Sequence, residues 1–132
     1  MALKITLKPG EKMIVGGAVL KNGGSTAHLV VENKVPVLRE RDIIGESGAT
    51  TPCRRIYFVL QLMYIDDDKL LEHHNVYWRL ARELVEAVPK AADLVEPISQ
   101  QVLAGDYYKA MKAARKLIDY EQEVTRRVPQ SL

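Results

Sequence analysis

Few residues of this sequence are of the types that carry catalysis or bind metal ions, and their spacing suits neither purpose. The 132 residues include three histidines, and two of them, His73 and His74, are adjacent. Because adjacent residues of a helix point about 100° apart, this pair is poorly placed to bind one metal ion. The single cysteine, Cys53, has no activating partner close in the sequence. We therefore predict no catalytic residue, no metal site and no cofactor.

The acidic run Asp66-Asp67-Asp68 has two interpretations, a cation site and a helix cap. Carboxylates stabilise the positive end of a helix dipole, and apolar residues at helical spacing follow the run, so a cap explains it more simply. The sequence also lacks glycine-rich nucleotide loops, HExxH and GxSxG motifs. We therefore do not expect an enzyme.

Four arginines are the more informative residues. Arg39 and Arg41 are two positions apart, and on a strand they would share a face. Arg54 and Arg55 come at a predicted helix start, where a positive charge opposes the dipole unless an anion compensates it. A guanidinium binds phosphate bidentately, which favours a polyanion partner. The structural alternative is pairing with carboxylates close in sequence. These are Glu40, Asp42 and Glu46.

Charge is divided unevenly along the chain, although the net charge of +2 is small for a nucleic-acid-binding protein. Residues 1–65 contain nine basic and five acidic side chains, a net charge of +4, whereas residues 66–132 contain ten basic and twelve acidic, a net charge of −2. This favours a polyanion at the first half. The chain lacks a signal-peptide pattern and a membrane-spanning run. We therefore expect a cytoplasmic protein that does not enter a membrane.

The first 43 residues predict short strands joined by turns. Apolar and polar residues alternate over 3–8, which is the period of a strand, and Pro9-Gly10 is typical of a turn. We expect Gly16-Gly17 to bend or bulge the next strand. The NGGS segment at 22–25 predicts a hairpin turn, because Asn and Gly tolerate positive φ. The last strand is predicted over 35–41.

The remaining residues predict about four helices. Thr51-Pro52 is a typical helix start, and a first helix is expected over 52–65. The second carries apolar residues at helical spacing and ends before Pro89. Gly105 predicts the end of a third helix, and Asp106 the cap of a fourth.

Strands followed by helices indicate an α+β fold, with a small antiparallel β unit before a helical subdomain. We place the β subdomain at 1–45 and the helical subdomain at 46–132, with the segment GESGATT at 45–51 between them.

Five blocks of the sequence are characteristic of a known family. They are LKPGEKMIVGGAVLKNGG at 7–24, ENK at 32–34, VLRERDI at 37–43, TPCRRIYFVLQLMYID at 51–66 and DYYKAMKAARKLIDYE at 106–121. In these blocks and in their order, nearly the whole chain, about residues 3–121, resembles the FlbT family of flagellar regulators. The resemblance implies a regulator of flagellin synthesis that binds the 5′ leader of flagellin mRNA, affects its translation and decay, and often represses. It also implies the small protein FlaF as a partner in the same circuit.

Residues 3–43 are also similar to the small RNA-binding regulator CsrA. In that protein the first and last strands of an intertwined dimer hold the messenger. Carried over by position, Thr6 matches the first-strand threonine, Gly10-Glu11 the turn and Arg39 the last-strand arginine. The resemblance implies a CsrA-like β subdomain and a homodimer, and exposed strand edges favour the dimer independently.

Two hypotheses for the function therefore stand. In the first, the protein binds the flagellin mRNA leader; in the second, it is a protein-binding module that acts through a flagellar partner such as FlaF. The small net charge favours the second hypothesis, as does the placement of Tyr57, Phe58 and Tyr64 on a helix rather than on a stacking surface. The residues predicted to bind RNA are Lys4, Thr6, Lys8, Arg39, Arg41, Arg54 and Arg55.

Overall fold

A computed structural model describes residues 2–127, without the side chain of Arg127. Five short strands precede four helices, which confirms the α+β fold. The chain divides into two compact units, one that ends at Ile43 and one that begins at Ile44. The strands are β1 (Leu3–Leu7), β2 (Lys12–Val15), β3 (Ala18–Lys21), β4 (Ala27–Val31) and β5 (Val37–Arg39). The helices are α1 (Pro52–Ile65), α2 (Leu70–Ala87), α3 (Ala92–Leu103) and α4 (Tyr107–Arg127).

The first unit contains two small antiparallel sheets. In one, β1 pairs with β4, so that Ile5 lies opposite Leu29. In the other, β2 lies between β3 and β5. Alternate residues of β1 point to opposite faces, and Ile5 and Leu7 are buried in a core cluster with Met13 of β2. Partly buried apolar residues complete the cluster, and these are Val15, Leu29, Val31 and Val37.

The hairpin turn of this unit is Gly16-Gly17, and the prediction of a hairpin at 22–25 is wrong. Both glycines have positive φ, 56° and 89°, and they join β2 directly to β3, as a two-residue turn with positive φ at both positions does. The 22–25 segment instead carries the chain from β3 to β4 in the other sheet. Asn22 anchors this crossing, because its side-chain amide donates to the carbonyls of Leu7 and Ser25.

The last strand is shorter than predicted. It ends at Arg39, and a 3-10 turn follows over Glu40–Asp42. The Glu40 carboxylate accepts a hydrogen bond from the Lys12 backbone N–H at 3.0 Å, which places this turn against the start of β2. Arg41 lies exposed in the turn. Consequently the prediction that Arg39 and Arg41 share a strand face is wrong.

The second unit is built on α1 and α4. Seven residues of α1 are buried, and α1 packs against both α2 and α4, while α3 packs against α4. The inward stripe of α4 consists of small and apolar side chains at helical spacing. The junction between α3 and α4 matches the predicted signals, because Gly105 has a φ of 76° and the Asp106 carboxylate accepts from the Lys109 N–H at 3.1 Å. The buried residues of the stripe are Ala110, Met111, Ala114, Leu117 and Ile118.

Candidate nucleic-acid interface

The outward-facing residues of β1 and β4 form a small polar surface. Lys4 and Thr6 of β1 are exposed, and by register they lie opposite Val30 and His28 of β4, which are also exposed. Lys8 is exposed immediately after β1. We call these five residues the outer face. Neither Lys4 nor Lys8 forms a salt bridge within the described residues. The structure therefore brings together three of the predicted RNA-binding residues.

His28 belongs to this surface and was missed by the sequence analysis. Its Nδ1 lies 3.3 Å from the Thr6 hydroxyl across the strand pair. The exposed side of β4 carries His28 and Val30, and the polar His28 was the one sign of this face in the sequence of the strand. The sequence did not show that β4 pairs with β1, since His28 and Thr6 are 22 positions apart.

Arg39 has a different position from the lysines. It lies opposite Met13 of the core in the register of β2 and β5, so its side chain starts on the inner face. The guanidinium donates to the Thr6 carbonyl at 2.8 Å and to the Glu11 carboxylate at 3.3 Å. Its Nε is buried without a hydrogen-bond partner within the described residues. Arg39 therefore ties β5 to β1 and to the Lys8–Glu11 turn.

The Glu11 carboxylate is held from two sides. The Lys8 backbone N–H donates to it at 2.9 Å, and Arg39 lies on its other oxygen. The hydrogen bond from Lys8 is the largest cause that lowers the pKa of Glu11 below its ordinary value, and the charge of Arg39 adds to it. The turn closes with the Glu11 N–H donating to the Lys8 carbonyl at 3.0 Å. This contact fixes the place where β1 ends and Lys8 emerges.

Arg54 and Arg55 lie side by side in the first turn of α1. The Thr51 hydroxyl caps the helix by accepting from the Arg54 N–H at 3.2 Å. The same hydroxyl donates to the Glu121 carboxylate of α4, which also accepts from the Cys53 N–H at 3.3 Å. The anion at this helix end is therefore Glu121. Neither arginine side chain has a hydrogen bond or an ion pair within the described residues.

The second unit also contains an apolar groove of about 390 Å³. The start of α1 and the last turns of α2 and α4 form its walls, and its charged residues are one arginine, Arg55, and two glutamates, Glu83 and Glu121. Cys53 lines it as well, but burial, and then the Glu121 carboxylate, raise the pKa of the thiol to about 12. A thiol with that pKa is a poor nucleophile. The apolar walls are Leu80, Leu84, Ala87, Val88, Ala91 and Val124.

Within residues 2–127, no group of three or more His, Cys, Asp or Glu side chains is arranged to hold a metal ion. Asp66 acts as a cap, since its carboxylate accepts from the Asp68 N–H at 3.2 Å at the start of a 3-10 turn that leads into α2. None of the described helices has the length and apolar composition needed to cross a membrane.

The family model described as "Flagellar protein FlbT" matches residues 3–125. A "Probable flagellum biosynthesis repressor protein FlbT 1" of Bradyrhizobium diazoefficiens is 45% identical, over 94% of this chain and 85% of that protein. The "Flagellum biosynthesis repressor protein FlbT" of Caulobacter vibrioides is 42% identical, over 93% of this chain and 89% of that protein. A relative in Rhodopseudomonas palustris is 35% identical, over 96% of this chain and its own full length. No solved structure matches this chain.

Proposed function

We propose that this chain, which belongs to the FlbT family of flagellar proteins, controls flagellin synthesis by binding the 5′ leader of flagellin mRNA in the cytoplasm. Its relatives are named as flagellum biosynthesis repressors, a class of regulators rather than of enzymes, and the chain is a regulator of flagellar gene expression. In the proposed mechanism, the bound protein lowers translation of the messenger and promotes its decay.

The observation that carries the proposal is the outer face of β1 and β4. Lys4 and Lys8 flank Thr6 there, exposed and without salt bridges within residues 2–127. Exposed ammonium groups that form no salt bridge are suited to phosphate, and binding then gains free energy from released counterions. Phosphate contacts of this kind position the RNA and leave its sequence to be read elsewhere.

Arg54 and Arg55 support the proposal from the helical unit. Glu121 already compensates the positive end of α1, so these two arginines are not explained as partners of a capping carboxylate. Their guanidinium groups have no partner within the described residues, and Arg55 is exposed. We propose that both contact RNA phosphates. Arg39, held by Glu11 and the Thr6 carbonyl, contributes chiefly by positioning β1.

The test measures binding of the full chain to a flagellin-leader RNA and to an unrelated RNA of equal length at several salt concentrations. We expect Lys4→Ala with Lys8→Ala to weaken both complexes and to flatten the slope of log affinity against log salt by about one unit per lost phosphate contact. Arg54→Ala with Arg55→Ala should act in the same way. Lys69→Ala is the control, because Lys69 is an exposed lysine in the 3-10 turn that follows the other end of α1 from Arg54 and Arg55. Unchanged affinity and slope in both double variants would refute the proposed contacts.

We also propose that the protein is a homodimer that pairs through its β unit. β3 is an edge strand of its sheet, and it exposes two apolar side chains, Val19 at 67% and Leu20 at 41%. Exposed apolar edge strands are ready to pair with another chain. Light scattering at micromolar concentration should give twice the chain mass, and Val19→Lys should lower it. A monomeric wild-type protein would contradict this proposal.

The groove of the helical unit favours a second candidate function, binding of a protein partner such as FlaF. Its apolar walls could receive apolar side chains of a partner, and Val88 and Val124 are 36% and 42% exposed there. Val88→Gln with Val124→Gln should abolish partner binding and adds no charge beside Arg55, which lines the same groove. Leu103→Gln, which changes a leucine that is 76% exposed on α3 outside the groove, is the matched control. Equal partner binding by all these variants would exclude the groove.

A further inference from the structure

We propose that His28 contacts an unpaired RNA base by stacking, so that the outer face reads bases as well as holding phosphates. This inference rests on the proposed RNA-binding function and assigns a base contact to the same surface. Recognition of single-stranded RNA commonly uses an aromatic ring on which a base stacks, with basic side chains on the flanking phosphates. Residues 1–43 contain no Phe, Tyr or Trp. His28 therefore carries the one aromatic ring of the β unit.

The position of the ring supports this role. His28 is exposed on β4 directly opposite Thr6, and the 3.3 Å contact between Nδ1 and the Thr6 hydroxyl holds the ring across the strand pair. A ring that is already oriented loses little freedom when a base stacks on it. Nε2 has no partner within the described residues, and it remains available to a polar edge of the nucleotide.

The neighbours of the ring complete a binding surface. Lys4 lies two positions before Thr6 on β1 and Lys8 two positions after it, immediately beyond the strand, each about 7 Å away for an extended chain, so the backbone positions of the two lysines flank the residue that faces the ring. Val30, which is 54% exposed, lies two positions from His28 on the same face of β4 and offers apolar surface to a base or ribose. Lysines on both sides of an exposed ring are suited to a single-stranded RNA that runs along β1.

A purely structural role for His28 predicts a different result. The contact with Thr6 is an exposed cross-strand pair, and such pairs contribute little to stability. Removing the ring in that case would leave RNA affinity unchanged. A stacking role instead predicts that most of the contribution of His28 to RNA affinity comes from its ring rather than from its hydrogen-bonding nitrogen.

The experiment uses the full chain, a single-stranded flagellin-leader RNA and a fully paired duplex of the same sequence. We expect His28→Ala to weaken single-strand binding about 5- to 150-fold, the loss typical of one stacked base, with an unchanged salt slope and little change in duplex binding. His28→Phe should retain most of the wild-type affinity. Thermal melting of each variant checks the fold, and the phenylalanine variant decides the case if the alanine variant unfolds.

The two proposals fail separately. If the wild-type protein binds neither RNA, the proposed function fails. If the wild-type protein binds and the lysine double variant loses affinity while His28→Ala binds as the wild type does, only the stacking inference is overturned. It is also overturned if folded His28→Phe binds at least fivefold more weakly than the wild type.

Discussion

Glu121 joins α4 to the start of α1, and its removal should destabilise the helical unit. The carboxylate accepts hydrogen bonds from the Thr51 hydroxyl and from the Cys53 N–H at 3.3 Å. In Glu121→Ala both donors lose this partner, and the positive end of the α1 dipole loses its anion. The residue lies 70 positions from Thr51, so the change breaks a tertiary contact rather than a local one.

The magnitude follows from these contacts. A hydrogen bond to a charged group contributes about 1.5–3 kcal/mol, and an anion at a helix N-terminus about 0.3–1 kcal/mol. Glu121 is only half-buried, and Thr51 keeps its own bond to the Arg54 N–H, so the loss is smaller than the full sum. We expect Glu121→Ala to lower the free energy of unfolding by about 2 kcal/mol. The melting temperature should fall by roughly 5–10 °C for a chain of this size.

Urea unfolding followed by fluorescence is the appropriate assay, because the single tryptophan, Trp78, lies on α2 of the helical unit. Asp119→Ala is the control, since Asp119 is exposed on the same helix and its loss should change stability by less than about 0.5 kcal/mol. Glu121→Gln should fall between the two, because the amide oxygen still accepts but carries no charge. Equal urea midpoints for Glu121→Ala and Asp119→Ala would refute the capping role.

Three further predictions concern the thiol, the Lys8–Glu11 turn and the β hairpin. Because the pKa of the Cys53 thiol is about 12, Ellman's reagent at pH 8 should react with unfolded protein and hardly at all with native protein, and rapid native labelling would contradict this. The pKa of Glu11 is lowered from 4.5, so its contribution to stability is present above pH 4.5 and is lost as pH falls through the lower folded value. Amide exchange in β1 of wild type and Glu11→Gln should therefore differ at pH 7 and converge as the pH falls below the folded pKa of Glu11, and a constant difference would count against the contact. Gly17→Val should destabilise the β unit by about 1–2 kcal/mol because Gly17 has a φ of 89°, whereas Gly23→Val, in open space, should change stability little when both are measured by the same exchange.

Local patterns in the sequence were sufficient to predict the elements. The alternation in β1 identified a strand with Lys4 and Thr6 on its polar side, and Thr51-Pro52 identified the start of α1 to the residue. These signals act over a few positions, where sterics and capping decide the conformation. The sequence did not show which strands pair with each other. Both Gly16-Gly17 and the 22–25 segment have a composition that fits a turn, so composition did not identify the hairpin.

In the candidate site, too, local patterns could be predicted from the sequence and distant contacts could not. The outer-face lysines follow from alternation alone, whereas the partners of Arg39 and Thr51 come from distant positions. Arg39 reaches Glu11 across 28 positions, and Thr51 reaches Glu121 across 70. The sequence offered three nearby carboxylates as partners of the arginines, whereas Arg39 in the folded unit pairs with the more distant Glu11. A sequence therefore indicates where charge is present more readily than which charges are already engaged.

That distinction decides which basic residues are suited to RNA. A guanidinium that already holds a carboxylate and a backbone carbonyl, as Arg39 does, must break those bonds before it can contact a phosphate, and the free energy of doing so offsets the gain. Lys4 on β1 has no such bond to break within the described residues, and neither has Arg55. Arg39→Ala should therefore weaken RNA binding through loss of order in β1, together with a loss of β-unit stability. Lys4→Ala should weaken binding with the fold intact, because its contribution to affinity comes from the counterions that its phosphate contact releases.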